Sequence, residues 1–144
     1  MHINRPQSFL IVTPVYEDVD AASRLFKELA REYGASVTIV AVDDGSIREP
    51  LLGKTLSDAG LSGVVLSLKR NIGHQRAIAV GINFAAEHFP NQPVVVMDSD
   101  GEDRPQTVAA LLEKLVGNSE ADVVVATRKS RIESFRFQAF YGFY

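Results

Sequence analysis

The segment Val94–Pro105, VVVMDSDGEDRP, sets an apolar run against four carboxylates, Asp98, Asp100, Glu102 and Asp103, followed by a proline and an amphipathic helix pattern. Four acids this close repel one another, and water, a cation or basic neighbours must offset the cost. An apolar strand that carries such a cluster to its C-terminal end reads as a metal site at the mouth of a parallel sheet.

Working outward from that segment, the chain alternates strand and helix. Phe9–Val15 is a short apolar, β-branched run that predicts a buried strand. Asp18 or Asp20 can then cap a helix whose Ala22, Leu25, Phe26, Leu29 and Tyr33 share a face, with Gly34 as its stop. Val37–Val42 predicts a second strand running into Asp43-Asp44-Gly45-Ser46. Residues 50–60 read as a weaker helix, and 64–68 as a third strand ending at Lys69-Arg70-Asn71-Ile72-Gly73. A helix over 77–89 would place Ile78, Ile82, Ala85 and Phe89 together. Val94–Met97 is the fourth strand. Val108, Leu111, Leu112 and Leu115 form the next helical stripe, and Val123–Ala126 predicts a fifth strand before Thr127-Arg128-Lys129.

Continuous apolar strands alternating with helices predict an α/β fold, a mostly parallel sheet covered by helices on both faces. Right-handed crossovers bring every strand's C-terminal end to one edge, where open α/β sheets bind ligands. The tails PVYE, DDGS, KRNIG, DSDGED and TRK are therefore expected on one rim.

Composition narrows the classes. The 144 residues suit one domain, and 18 acids against 15 Lys and Arg give a net charge of −3, which argues against a nonspecific nucleic-acid binder. The chain has no cysteine, hence no disulfide framework, which is compatible with a reducing compartment. Its first residues lack the apolar core of a signal peptide, and no apolar run is long enough to span a bilayer. A cytoplasmic location is expected, at the cytoplasmic membrane face in a longer parent.

Each tail has a chemical reading and a plainer one. In an extended segment Asp98 and Asp100 face the same side, with Ser99 turned away, so both can reach one divalent ion. Gly101 lets the chain bring Glu102 round as a third oxygen ligand, and hard oxygens favour Mg²⁺ or Mn²⁺ over Zn²⁺. The plainer reading is a polar turn with a helix cap. Asp43-Asp44-Gly45-Ser46 is either a turn or a carboxylate pair for a nucleobase or ribose. Lys69, Arg70, Arg76 and Arg128 can neutralise a diphosphate, with solvated charge preferred for Lys69 and Lys129. Asn71 and Gly73 suit a tight turn before a helix N-terminus that can face an anion. His74 reads as a surface histidine with no catalytic role.

At these residues the chain resembles the catalytic domain of family-2 glycosyltransferases, with the GT-A nucleotide-sugar-binding fold, and is most similar to the polyprenyl-phosphate sugar transferases of the dolichol-phosphate mannose synthase-like branch. Pro14-Val15-Tyr16-Glu17 resembles the P-V-Y-N-E opening with its Asn missing. Val42–Ser46 matches V-D-D-G-S, Arg70–Gly73 matches R-N-x-G, and Met97–Pro105 resembles M-D-A-D-L-Q-D-P-P. The resemblance implies inverting, metal-dependent transfer from a UDP- or GDP-sugar, with a polyprenyl phosphate as a candidate acceptor. By it, Pro14, Tyr16, Glu17 and Asp44 hold the nucleoside with Asp43 beside them. Arg70, Asn71 and Gly73 line the substrate site. Asp98 sits near ribose and metal, Asp100 binds the metal, and Glu102 stands where the family often has Gln. Asp98 and Asp100 are the implied catalytic residues, and the acid used as base in many members falls beyond the matched motifs.

Residues 1–131 are thus expected to form a nucleotide-sugar-binding domain. Residues 132–144 read as an aromatic amphipathic helical tail leading into a missing acceptor region. That tail holds six of the chain's twelve aromatics, with Phe137, Phe140, Tyr141 and Tyr144 at helical spacing, a face suited first to burial in a longer protein, then to a homodimer contact or a membrane-interface anchor. Two other functional classes stand beside the enzyme: a nucleotide-binding module without turnover, and a signalling receiver-like domain with Asp98 as acyl-phosphate acceptor.

Overall fold

The computed structural model describes residues 6–127. It shows four parallel strands, β1 (Phe9–Val15), β2 (Val37–Asp43), β3 (Ser62–Ser67) and β4 (Val94–Val96), in the spatial order β3-β2-β1-β4. Helices α1 (Val19–Tyr33), α2 (Gly53–Asp58), α3 (His74–His88) and α4 (Val108–Gly117) connect or follow them. Register aligns Val15 with Asp43 and Asp43 with Ser67, so the polar tails of three strands start at one level. The chain passes from β1 outward to β3, then returns to place β4 on the other side of β1. This reversal is a topological switch point, and it lies between the tails of β1 and β4.

Pleating divides the core. Phe9, Ile11 and Val15 of β1 and Val37, Ile39 and Ala41 of β2 pack with Leu25, Phe26 and Leu29 of α1, Leu56 of α2, and Val108 and Leu112 of α4. Leu10, Val12 and Val40, on the opposite face, pack with Ala85 of α3. Asp18 caps α1 by accepting the Ala21 N–H at 3.0 Å, and Gly34 ends it at φ 52°. Each large apolar side chain fully buried here contributes about 1.5–3 kcal/mol.

Helix α3 lies on the sheet through a stripe that shares Ala85 and Phe89 with the expected one but not Ile82. Ala77, Gly81 and Ala85 are its buried residues, whereas Ile82 is 42% exposed. A Cβ at Gly81 would lie 2.5 Å from Val12 Cγ1 and 3.0 Å from Val42 Cγ2. Backbone-to-sheet approach this close admits only small residues, so the smallest face of the helix wins over the most apolar one.

The expected fifth strand is not formed. Residues 123–126 carry no strand pairing, and Val123 and Val125 are 76% and 78% exposed. Backbone hydrogen bonds need a partner edge, and the described part of β4 pairs only with β1. The weaker helix predicted over 50–60 shrinks to the six residues of α2. No described helix is long and apolar enough to cross a membrane. The aromatic residues Phe137, Phe140, Tyr141 and Tyr144 lie outside the described residues.

These contacts order two substitutions. Gly81→Val should lower the unfolding free energy by about 1–3 kcal/mol through overpacking against Val12. Ile82→Ala should cost under about 1 kcal/mol, far less than a core isoleucine would. Urea denaturation of both variants checks the assignment of the stripe.

Candidate functional site

The four strand tails form a ring of contacts at the C-terminal rim. From β1, Glu17 sits at φ 50°, a left-handed conformation unusual outside glycine. Its N–H donates to Ser46 Oγ at 2.8 Å, and its carboxylate accepts the N–H groups of Ile47 and Arg48. The Arg48 guanidinium adds an ion pair at 3.3 Å. These bonds tie the β1 tail to the β2 tail. They also hold the Glu17 carboxyl below the ordinary glutamate value; the Ile47 N–H is the largest cause, Arg48 a smaller one, and partial burial opposes both.

Asp43 and Asp44 leave β2 on opposite faces, and both are buried. On the α1 side, Asp43 accepts the N–H groups of Ser46 at 3.0 Å and Leu51 at 2.8 Å and so closes its own loop. On the α3 side, Asp44 accepts those of Ile72 at 2.8 Å and Gly73 at 3.1 Å, which fixes the β3 tail. Gly45, at φ 77°, completes this junction: a Cβ there would meet the Arg70 carbonyl carbon at 2.3 Å. Asp43 thus closes a turn within the β2 tail, while Asp44 bridges two tails.

From the β3 tail, His74 opens α3 and donates from Nε2 to Asp98 Oδ1 at 3.0 Å. From the β4 tail, Ser99 Oγ donates to the Pro14 carbonyl at 3.1 Å and closes the ring on β1. Pro14 is buried, whereas Tyr16 is 54% exposed. Arg70 and Asn71 are exposed at the rim.

The acidic loop is bent rather than extended. The Asp98 N–H donates to Asp103 Oδ2 at 3.0 Å, the Glu102 N–H donates to Asp100 Oδ1 at 2.9 Å, and Gly101 has φ 89°. Asp98 therefore turns to α3, while Asp100 lines a cleft of about 80 Å³ against Arg24 and Glu28 of α1. The same-side placement expected for an extended Asp98-Ser99-Asp100 is lost, although Ser99 does turn away toward β1. Among the described residues, no three His, Cys, Asp or Glu side chains converge closely enough to hold a metal ion. The loop's exit is fixed from α1, where Tyr33 Oη donates to the Pro105 carbonyl at 2.6 Å and accepts the Ala109 N–H at 3.2 Å.

His74, expected as a surface histidine with no catalytic role, is exposed but meets Asp98 at the rim. Its place directly after Arg70–Gly73 was the available signal, because a helix starting at a strand tail presents its first side chains to the rim. Of the expected tails, Thr127 does not join the ring, and Arg128 and Lys129 lie outside the described residues.

A parallel sheet with polar tails gathered at its switch point defines the Rossmann-like α/β class, with its crevice between the tails of β1 and β4. Within that class the chain belongs to glycosyl transferase family 2, which it matches over residues 10–142. It is 30% identical over 142 residues to an uncharacterized glycosyltransferase of Synechocystis sp., covering 91% of this chain and 42% of that protein. It is 27% identical to the uncharacterized glycosyltransferase YkcC of Bacillus subtilis, covering 99% of this chain and 44% of the relative. A dodecaprenyl-phosphate galacturonate synthase of Rhizobium johnstonii is 26% identical over 126 residues, 84% of this chain and 36% of the synthase. The chain thus spans less than half the length of these relatives. The receiver-like alternative loses its support, since its paired acids should end the first strand and here end the second.

Two predictions follow from the ring. Asp44→Ala leaves two N–H donors without their acceptor and should cost about 1–3 kcal/mol in denaturant unfolding. Because the folded Glu17 carboxyl is depressed, its tether is complete above the ordinary glutamate value of 4.5 and is lost as pH falls through the lower folded value. The NMR shifts of the Ile47 and Arg48 amides should therefore titrate with a midpoint below 4.5.

Proposed function

We propose that this chain forms the donor-binding part of an inverting glycosyltransferase that uses a UDP- or GDP-sugar. The observation that carries the reading is the position of Asp98 and Asp100 on the β4 tail, beside β1 at the switch point, in a chain of this family. Tyr16 offers an exposed ring for the nucleoside, and Glu17 holds the loop around it. Asp44 acts by holding Ile72 and Gly73 in place, and Asp43 by closing the loop beside it. The exposed Arg70 and Asn71 present charge and hydrogen-bond donors to a diphosphate.

A divalent cation fits either of these carboxylates taken singly. Asp98, turned toward α3, and Asp100, turned toward α1, each supply hard oxygens at the rim, and neither is buried. Mg²⁺ is often held by one or two carboxylates with substrate phosphates and water, so three converging side chains are not required. Bound with the donor, such an ion would stabilise the charge developing on the departing diphosphate. Glu102 is exposed on the same loop and is the weaker candidate ligand. A lipid phosphate suits as acceptor because it is already anionic and needs little help from a general base. The name of the Rhizobium johnstonii synthase supports that choice.

Calorimetry with Mn²⁺ and UDP, then GDP, tests the reading. The unmodified chain should bind one of these nucleotides in a metal-dependent manner. Asp98→Ala and Asp100→Ala should each weaken binding at least about tenfold, equivalent to about 1.4 kcal/mol. Metal-independent binding, or none, would reject it.

A further inference from the structure

We propose that His74 is a positioning residue for the donor site: it fixes the Asp98 carboxylate and so sets the orientation in which that group meets a metal–diphosphate. This rests on the reading of Asp98 given above and extends it to a residue outside the family motifs identified here.

The His74 imidazole places its Nε2 3.0 Å from Asp98 Oδ1. Both side chains are accessible, at 51% and 43%, so burial does not force the contact. What holds it is the chain of bonds behind it. Asp44, itself buried, fixes the N–H groups of Ile72 and Gly73. Gly73 then turns at φ 96°, and His74 starts α3 at a set point on the rim. Asp98 is held from its own side through its N–H, which donates to Asp103. Two independently anchored segments therefore meet at one hydrogen bond.

That bond uses one lone pair of Oδ1 and fixes the rotation of the carboxylate, which keeps its remaining lone pairs for a ligand. An imidazole with its proton on Nε2 makes the bond whether the ring is neutral or charged, so positioning does not depend on a charge at His74. Groups that hydrogen-bond a metal-binding carboxylate hold it in a productive orientation, and their loss commonly costs 10- to 100-fold in metal affinity. Glutamine can place its amide nitrogen near the position of the histidine Nε2 and should preserve the donor.

The test is calorimetry of Mn²⁺ with UDP and with GDP on the full chain and its variants. His74→Ala should weaken metal-dependent nucleotide binding by about tenfold or more, with an unchanged melting temperature. His74→Gln should recover most of the loss, and adding His74→Ala to Asp98→Ala should weaken binding no further. If Asp98→Ala weakens binding and His74→Ala does not, the positioning role is wrong and the donor-site reading stands. Equal losses in His74→Ala and His74→Gln with lowered melting would mark a structural role and also overturn the proposal. If the unmodified chain binds neither nucleotide with Mn²⁺, the donor-site reading fails and takes this one with it.

Discussion

The rim depends on a buried carboxylate that must be hydrogen-bonded. Asp44 leaves the end of β2 almost wholly shielded from water. A carboxylate there is tolerable only if hydrogen-bond donors replace its lost hydration. The donors are two successive backbone N–H groups from the loop after β3. Burial and loop placement are therefore one requirement: the charge needs those amides, and the amides can reach it only if the loop folds back over β2. Gly45 makes this geometrically possible, because the two backbones approach within a distance that excludes a side chain.

The other tails extend that arrangement around the rim. Glu17 spans from β1 to the loop after β2, Asp44 from β2 to the loop after β3, His74 from that loop to β4, and Ser99 from β4 back to β1. Apart from the several bonds of Glu17, each link is a single hydrogen bond or a pair, and none is strong in isolation. Anchored at both ends by strands in fixed register, together they hold four loops in one arrangement. Tyr33 serves the same end from outside the ring by fixing the start of α4, where the acidic loop leaves the rim.

The two faces of the sheet are built by different means. The α1 face is filled with large aliphatic and aromatic side chains, and helix and sheet are held apart by their volume. On the α3 face, Gly81 brings the helix backbone almost onto Val12 and Val42. Gly81 seats the middle of α3, and His74, at the first position of the same helix, meets Asp98 at the rim.

Much of this was legible in the sequence, because it rests on local patterns. Apolar runs of strand length, the α1 stripe of Leu25, Phe26 and Leu29, a cap at Asp18 or Asp20, and the gathering of strand tails all follow from local pattern and handedness. What stayed hidden depends on which residues meet across space. Ile82 looked like core until Gly81 was seen to set the helix seat. Val123–Ala126 looked like a strand until it was found without a pairing edge. Asp98 and Asp100 looked like neighbours in an extended segment until the turn at Gly101 and the Asp98–Asp103 bond separated them. Sequence spacing determines the elements and the order in which they reach the rim. Tertiary structure alone decides which carboxylate faces which partner, because hydrogen bonds between loops depend on distances that no local pattern encodes.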